Sequence, residues 1–509
     1  MPYLADFYPY RVSAGAEVLL PFSDVGFVTG PGDSPPNTLY ERAIDVPLTE
    51  TRSLTSGDTV GGYSSPSGGT ITITNMDGSR NAIVGPDYRW SGRRFVLYYT
   101  DKDSPTLADF QVARTGVVDQ VIGGTTITIR ILDRSARFDV PATTGTFAGT
   151  GGIEGTAEMA GRGLPWAYGD VVQVSPVSLG ALLIYMVDKR GFTALVWVKD
   201  GGKVLPSAGP DVATYAALAA LSMSGYDYAT CKALGLIRLA TDTASTLIVR
   251  VQGITVSGTY VTSFPDIVRH IVTTMGDMTS GDINAASLAA FAALPGGSAA
   301  LAYYHDGASD VTIRQVVDEL ASDVGACWGF DLLDQLYMVR FDAPADTPDY
   351  TVTDRDYTEL VPQEVPRRLR NCTLGYEWHY TVLDDSSILP GAGTVPEADK
   401  PGLKAQCLWA PTATNADVAA HELLYSDVRV QTHFVNSADT EFEANRRAVV
   451  YGDWSAAYSL TMPLIPGLLP GCTVAIVDPV WVPGGSHSIV VTSVQPAGSS
   501  NLMTVTGRG

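Results

Sequence analysis

The chain has 509 residues, too many for one core at roughly 100 to 200 residues per domain, and three or four domains are expected. Hydrophobic residues make up 45% and charged residues 17%, a balance that supports buried cores and excludes intrinsic disorder. With 33 Lys+Arg against 54 Asp+Glu the formal charge is -21, which argues against a protein that grips nucleic acid, because that affinity comes mainly from cations neutralising phosphate.

A surface that DNA slides past is a different case, since the same charge repels phosphate and prevents sticking. The 51 Gly and 31 Pro favour many turns between short elements, so the class leans towards β. Met1–Arg11 has no basic stretch followed by an apolar core, and no secretory signal is predicted; folding in a cytoplasm is expected. The most apolar short run, Ala181–Val187, is far below the roughly 18 residues of a spanning helix, so no membrane segment is expected.

In chain order, Thr70–Thr74 alternates strictly, Phe95–Tyr99 is aromatic and β-branched, and Thr125–Leu132 alternates again after Gly123-Gly124. Val117–Ile122 and Thr125–Leu132 read as a hairpin whose glycines accept positive φ in the turn. Phe147–Gly163 is glycine-rich and reads as a connecting loop; a phosphate cradle would need a Lys after the glycines, and no GK[ST] follows. Strands are expected at Leu182–Val187, Ala194–Val198 and Thr246–Val251, with a short helix at Asp211–Met223 capped by Asp211.

Ser263-Phe264-Pro265-Asp266 combines a cap, a first-turn proline and an acid, and Ile267, Val268, Ile271 and Val272 follow at helical spacing. Asn284–Leu294 and Thr312–Gly325 add two helices and Cys327–Phe330 and Gln335–Phe341 two strands, so residues 262–345 form an α+β unit. Arg370–Tyr380 reads as a long strand, Leu383–Thr412 as a long loop, and Asp417–Tyr425 and Thr440–Tyr451 as helices. Strands near Ala457–Met462, Thr473–Val477, Ser488–Val494 and Leu502–Thr506 suit a small terminal barrel. The fold class is therefore mainly β with α+β and multidomain: tube-like β-barrel domains, a small α+β domain and a C-terminal β domain. The expected divisions are 1–165, 166–261, 262–345 and 346–509.

Candidate chemistry is sparse. Cys231, Cys327, Cys372, Cys407 and Cys472 are odd in number and far apart, which points to isolated thiols rather than disulfides or a metal knuckle. His270, His305, His379, His421, His433 and His487 show no pair four apart with an intervening Glu, and no GxSxG elbow occurs. Asp384-Asp385 and Asp101 with Asp103 are paired carboxylates, but glycoside chemistry needs two at a defined separation across a sugar, which adjacency in sequence does not supply; Asp101-Lys102-Asp103-Ser104 and Asn75-Met76-Asp77-Gly78 read as solvated turns that complete no calcium loop. Tyr88–Phe95 (YRWSGRRF) interleaves aromatic and basic residues as a nucleic-acid platform does, but Arg93 and Arg94 precede a strand in an acidic chain, and an intersubunit ion pair or a solvated strand end is the better reading. No catalytic, cofactor-binding or metal-ligating residue is assigned, no cofactor is expected, and the chain is read as a non-enzyme.

Several segments resemble, in order, the tail-tip or baseplate hub proteins of tailed bacteriophages and prophages: LYERAIDVP (39–47), Gly92–Tyr99, TITIRILDRSARFDVP (126–141), FAGTGGIEGTAEMAGRGLPWAYG (147–169), Tyr228–Gly253, Ile267–Thr274, VGACWGFDLLDQLYMVR (324–340), Arg367–Tyr376 and LIPGLLPGCTVAIV (464–477). The resemblance implies a ring-forming structural protein at the distal end of a tail tube, a trimer by preference or a hexamer. It implies tail-tube, distal-tail, tape-measure and fibre or receptor-binding proteins as neighbours, a location at the virion tail tip after assembly in the host cytoplasm, and a channel for genome delivery without sequence-specific DNA binding. The family motifs supply no catalytic residues to carry over. Two other readings stand beside it, a receptor-binding tail adhesin and a cell-wall or polysaccharide hydrolase.

Overall fold

The computed structural model describes residues 1–56, 59–60, 62–63, 68–180, 182–391, 394–454, 456–465, 467–497 and 501–509. Ala181, which opens the most apolar run, and Pro466, inside the 464–477 motif, lie outside the described residues. The first part of the chain forms β1 (Tyr3–Phe7), β2 (Leu20–Ser23), β3 (Phe27–Val28), β4 (Leu39–Arg42), β5 (Ile44–Glu50), β6 (Arg52–Ser53), β7 (Gly69–Thr74), β8 (Arg94–Tyr99), β9 (Gln111–Ile122) and β10 (Thr126–Leu132). Alternation sets their faces. Ile127, Ile129 and Ile131 of β10 are buried beside Ile71 and Ile73 of β7, while Arg130 between them is exposed. Phe7 anchors this core, with ring centroids 5.9 Å from Trp90 and 6.1 Å from Phe95. The strands lie in the order β5-β7-β10-β9-β8-β1-β2-β4-β3.

The expected hairpin forms between β9 and β10, but its glycines act differently from expectation. Neither Gly123 nor Gly124 has positive φ; a Cβ on Gly123 would sit 3.0 Å from Val84 Cγ1, so close packing rather than turn geometry favours glycine there. The glycine-rich stretch after Phe147 contains only short 3-10 turns, at Gly152–Glu154 and Ala157–Met159. The expected short helix covers Tyr215–Ala220 and is capped by Thr214, not Asp211. Asp211 ends a strand, and its carboxylate accepts hydrogen bonds from Thr230 and the Lys232 amide.

The α+β unit contains α1 (Phe264–Thr274), α2 (Ala285–Ala293), α3 (Ile313–Asp323), β11 (Ala326–Phe330) and β12 (Leu336–Arg340). The cap expected at Ser263 is made, accepting from the Asp266 amide, and the structure adds two more: Asn284 accepts from Ser287, and Thr312 forms a reciprocal box with Gln315. α1 buries Phe264, Ile267, Val268, Ile271 and Val272, each a contribution of about 1.5–3 kcal/mol. These side chains meet α3 and Trp328 in one core that also takes in Phe138, Trp166 and Phe434 from outside the unit. Gly62–Tyr63 adds a parallel third strand beside β11.

The remainder forms β13 (Tyr350–Thr353), β14 (Glu359–Pro362), β15 (Leu369–Tyr376), β16 (Ser426–Gln431), α4 (Ser437–Gly452), β17 (Ala457–Pro463), β18 (Thr473–Val477), β19 (Ser486–Ala497) and β20 (Leu502–Arg508). The long loop after Leu383 carries a one-turn helix at Lys400–Lys404 and a short strand at Leu408–Trp409. The helix expected over Asp417–Tyr425 spans Ala416–His421 only. The closing strands form as expected, and their sheet, β14-β17-β20-β19 with β18 and β13, runs on through β19 into β5 and β6, giving a single sheet of 16 strands. The mainly β class with an α+β part is what the chain adopts.

Replacing Ile271 by Ala removes a fully buried side chain and is expected to cost about 2–5 kcal/mol in chemical denaturation, whereas Thr273→Ala on the exposed face stays within about 0.5 kcal/mol. Equal effects would contradict the assigned face of α1.

Candidate assembly interface

The joint between the two halves of the large sheet is built from backbone. Thr49 of β5 pairs with Ala497, and Arg52 and Ser53 of β6 pair with Val494 and Ser493 of β19; just beyond, the Leu54 amide donates to the Thr492 carbonyl at 2.8 Å. The β9 alternation turns Arg114 inward in phase with Val118, and its side chain is 0% exposed. Arg114 Nη2 lies 3.2 Å from Glu50 Oε1, and Arg52 Nε lies 3.3 Å from Glu50 Oε2.

The same guanidinium clamps the α+β unit. Arg114 Nη1 donates to the Asp331 carbonyl at 2.9 Å, and the neighbouring Thr115 amide donates to the Leu332 carbonyl at 2.8 Å. Burial draws the Arg114 pKa below its ordinary value, and Glu50, Asp334 and Asp133 oppose that shift; the group remains a cation throughout the working range. Burial also raises Asp334 to about 6 against the pull of Arg114 and Arg134. Arg134 Nε pairs with Asp334 at 2.8 Å and its Nη1 with Asp282. One charged cluster thus ties β5, β6, β9 and the β11–β12 loop together.

At the far ends of the 16-stranded sheet, β3 pairs only with β4 and β14 only with β17 among the described residues. An edge strand is a place where a sheet can be extended by pairing with another chain. Pro362 in β14 suits an edge position, because it has no amide to donate. β13 likewise pairs only with β18, and β16 only with β15.

The histidines do not converge. His270 Nδ1 lies 2.6 Å from the Tyr168 hydroxyl, which also accepts from Arg190 Nη1 at 2.7 Å. Burial and the Arg190 charge depress His270 from 6.5 to about 4. His433 is buried with its Nδ1 2.7 Å from Asp323 Oδ2; burial opposes its charged form, but Asp323 and Glu319 together raise its pKa. His305 Nε2 meets the Ser309 carbonyl and His379 Nδ1 the Ala405 carbonyl. His421 sits beside Asp417 on the surface, and His487 packs near Tyr458.

Four of the five cysteines are buried, Cys327 with its Sγ donating to the Leu54 carbonyl, and no group of three metal-ligating side chains is found among the described residues. Asp384 caps a turn by accepting from Ser386 and Ser387, Asp77 does the same for Ser79, and Asp101 and Asp103 are exposed. Arg93 and Arg94 of the aromatic-basic stretch sit at the start of β8, Arg93 pairing with Glu17 at 2.7 Å and Arg94 lying over Tyr8. Glu50, Arg52 and Arg114 escape sequence reading. Their signal is weak: Arg114 occupies an inward phase of an alternating strand, and nothing local marks it as paired rather than solvated. No helix among the described residues is long and apolar enough to cross a membrane.

No protein-family profile matches the chain, and no curated protein matches it in sequence. Among solved structures it is similar to the 43 kDa tail protein of prophage MuSo2 from Shewanella oneidensis, at 10% identity and a TM-score of 0.42 over 100% of this chain and 98% of that one. It is also similar to a tail protein of Neisseria meningitidis MC58, at 8% identity and a TM-score of 0.38 over 99% and 96%. A third is a prophage tail protein from Listeria monocytogenes EGD-e, at 7% identity and a TM-score of 0.39 over 100% and 94%.

Two measurements check the buried charges. Arg114→Ala takes one of its guanidinium partners from the buried Glu50 carboxylate, leaving Arg52 beside it, and is expected to lower stability by about 3–5 kcal/mol, while Arg11→Ala at an exposed pair with Asp87 is expected to leave stability nearly unchanged; comparable losses would contradict the role of the joint. His270 is held neutral in the fold, so the unfolded chain binds its proton more readily, and stability falls as pH drops from 6.5 towards 4. A His270→Gln variant is expected to lose less melting temperature than the parent across that window, and an identical pH profile would contradict it.

Proposed function

We propose that the chain is a structural subunit of a bacteriophage tail tip, the baseplate hub that joins the tail tube to distal receptor-binding parts and surrounds a channel for genome delivery. The observation that carries this reading is the large sheet shared by the two ends of the chain, with outer strands β3 and β14 each paired on one side only among the described residues. A subunit whose sheet ends in open edges on both sides is suited to head-to-tail pairing with copies of itself, and such heterologous contacts close into rings. The family resemblance of the motifs from Leu39 to Val477 points the same way, and a charge of -21 suits a wall that DNA must pass without sticking. A trimeric ring is the preferred stoichiometry and a hexamer the other; tube, distal-tail, tape-measure and fibre proteins are the neighbours, with assembly in the host cytoplasm.

The action of such a hub is mechanical. Receptor engagement below alters packing between subunits, a bistable interface switches, and the tape-measure protein is released through the ring. No catalytic step is assigned. A second reading, a receptor-binding adhesin, is favoured by one feature: Val480 and Trp481 stand 74% and 71% exposed at the tip between β18 and β19, held there by Asp478, which accepts from both amides at 2.7 and 2.9 Å. Rigid exposed aromatics of this kind serve as binding anchors.

Immunogold labelling of released particles tests the proposal. Label confined to tail tips, with tailless or tipless particles when the gene is deleted, is the expected result. Normal infectious tails without the protein would overturn it, and purified chain that coats host cells and blocks infection would favour the adhesin.

A further inference from the structure

The aromatic-basic stretch around Arg93 opens onto a cleft that none of the contacts above explains. The cleft has a volume of about 570 Å³ and lies between the start of β8, the turn after β10 and the β11–β12 loop. Four guanidinium groups line it, from Arg93, Arg94, Arg134 and Arg137, against two carboxylates, Glu17 and Asp334. Both carboxylates are already engaged, Glu17 by Arg93 at 2.7 Å and Asp334 by Arg134 at 2.8 Å. Arg94 lies with its guanidinium carbon 4.6 Å from the centre of the Tyr8 ring. Arg94 and Arg137 are exposed; Arg94 bonds the Tyr8 hydroxyl and attracts the buried Asp6 carboxylate without forming a close ion pair with it. In a chain where acids outnumber bases 54 to 33, this is a local inversion of sign.

We propose that this cleft receives a carboxylate-bearing segment of a second copy of the chain. The proposal rests on the ring-subunit reading and names where one contact of that ring is made. Charge complementarity selects the occupant: every copy presents an excess of carboxylates, and the cleft is a place where a neighbour's acids gain rather than repel. Arg94 and Arg137 supply planar forks suited to bidentate carboxylate pairing. The volume is in the range of a pocket for a small ligand or a few side chains, too small to seat a duplex. Leu333, 54% exposed on the rim, offers apolar contact to a peptide. The contact is heterologous, cleft on one copy and acidic surface on the next, which is the geometry that closes a ring.

The test uses the full chain and its Arg94→Glu/Arg137→Glu variant, with Arg94→Lys/Arg137→Lys and the distant Arg269→Glu as controls. Self-association is followed by sedimentation at about 0.05 and about 0.5 M salt, and circular dichroism melts confirm folding. The expected result is association of the parent that weakens with salt, a loss of at least about 100-fold in the double Glu variant, a smaller loss in the double Lys variant, which keeps the charge without the fork, and association near the parent's in Arg269→Glu. A folded double Glu variant that associates like the parent overturns the cleft proposal and leaves the subunit reading standing on tail-tip labelling. A parent that stays monomeric at both salts overturns the cleft proposal, and absence of label from tail tips then removes the subunit reading as well. Salt-sensitive binding of a labelled single-stranded oligonucleotide that the double Glu variant loses would assign the cleft to phosphate and also overturn the proposal.

Discussion

The pairing of β19 with β5 and β6 is the constraint on which the rest of the molecule depends. It brings residues near the two ends of the chain into one sheet, with the Leu54 amide on the Thr492 carbonyl. Closing so long a loop carries an entropy cost that grows only slowly with length, but a few edge hydrogen bonds are modest on their own. The apolar core formed by Leu460, Val474, Ile489, Val491 and Val505 holds β19 in place before it reaches the joint. The joint therefore aligns two already formed sheets rather than folding either.

Once aligned, the sheets share the Glu50–Arg114–Arg52 cluster. Desolvating such charges costs several kcal/mol per ion, and their mutual attraction offsets this only with good geometry. The cluster consequently contributes specificity of arrangement more than net stability: Arg114 faces Glu50 on one side and the Asp331 carbonyl on the other, so a shift of the β11–β12 loop would leave a buried cation short of partners. The relation between the large sheet and the α+β unit is fixed by polar contacts of defined direction.

Much of the fold was legible in the sequence because its signals are local. The cap at Ser263 is set by a residue three positions on, and the isoleucines of β10 declare their face by alternation alone. Asp211 misled for a local reason too, since a carboxylate before an alanine-rich stretch resembles a cap, and only its long-range partners Thr230 and Lys232 reveal a strand end. The glycines at 123 and 124 are legible as a turn, but the close packing of Val84 against Gly123 is not, because Val84 comes from a distant element. The seam at β19 and the inward Arg114 were illegible on principle: strand partners far apart in the chain leave no periodic trace, and a buried arginine differs from a solvated one only by what surrounds it. The cleft fell between these cases, since Arg93 and Arg94 were visible and Arg134 and Arg137 joined them only through tertiary structure.

The central claim is that β3 and β14 are edges completed by neighbouring subunits. A reconstruction of the tail tip by electron cryo-microscopy, at a resolution that separates strands, tests it most directly. The account predicts a closed ring of this chain in which the Phe27–Val28 and Glu359–Pro362 strands each hydrogen-bond a strand of an adjacent subunit. A tip in which the chain is present with both strands open to solvent, or one from which it is absent, would contradict it.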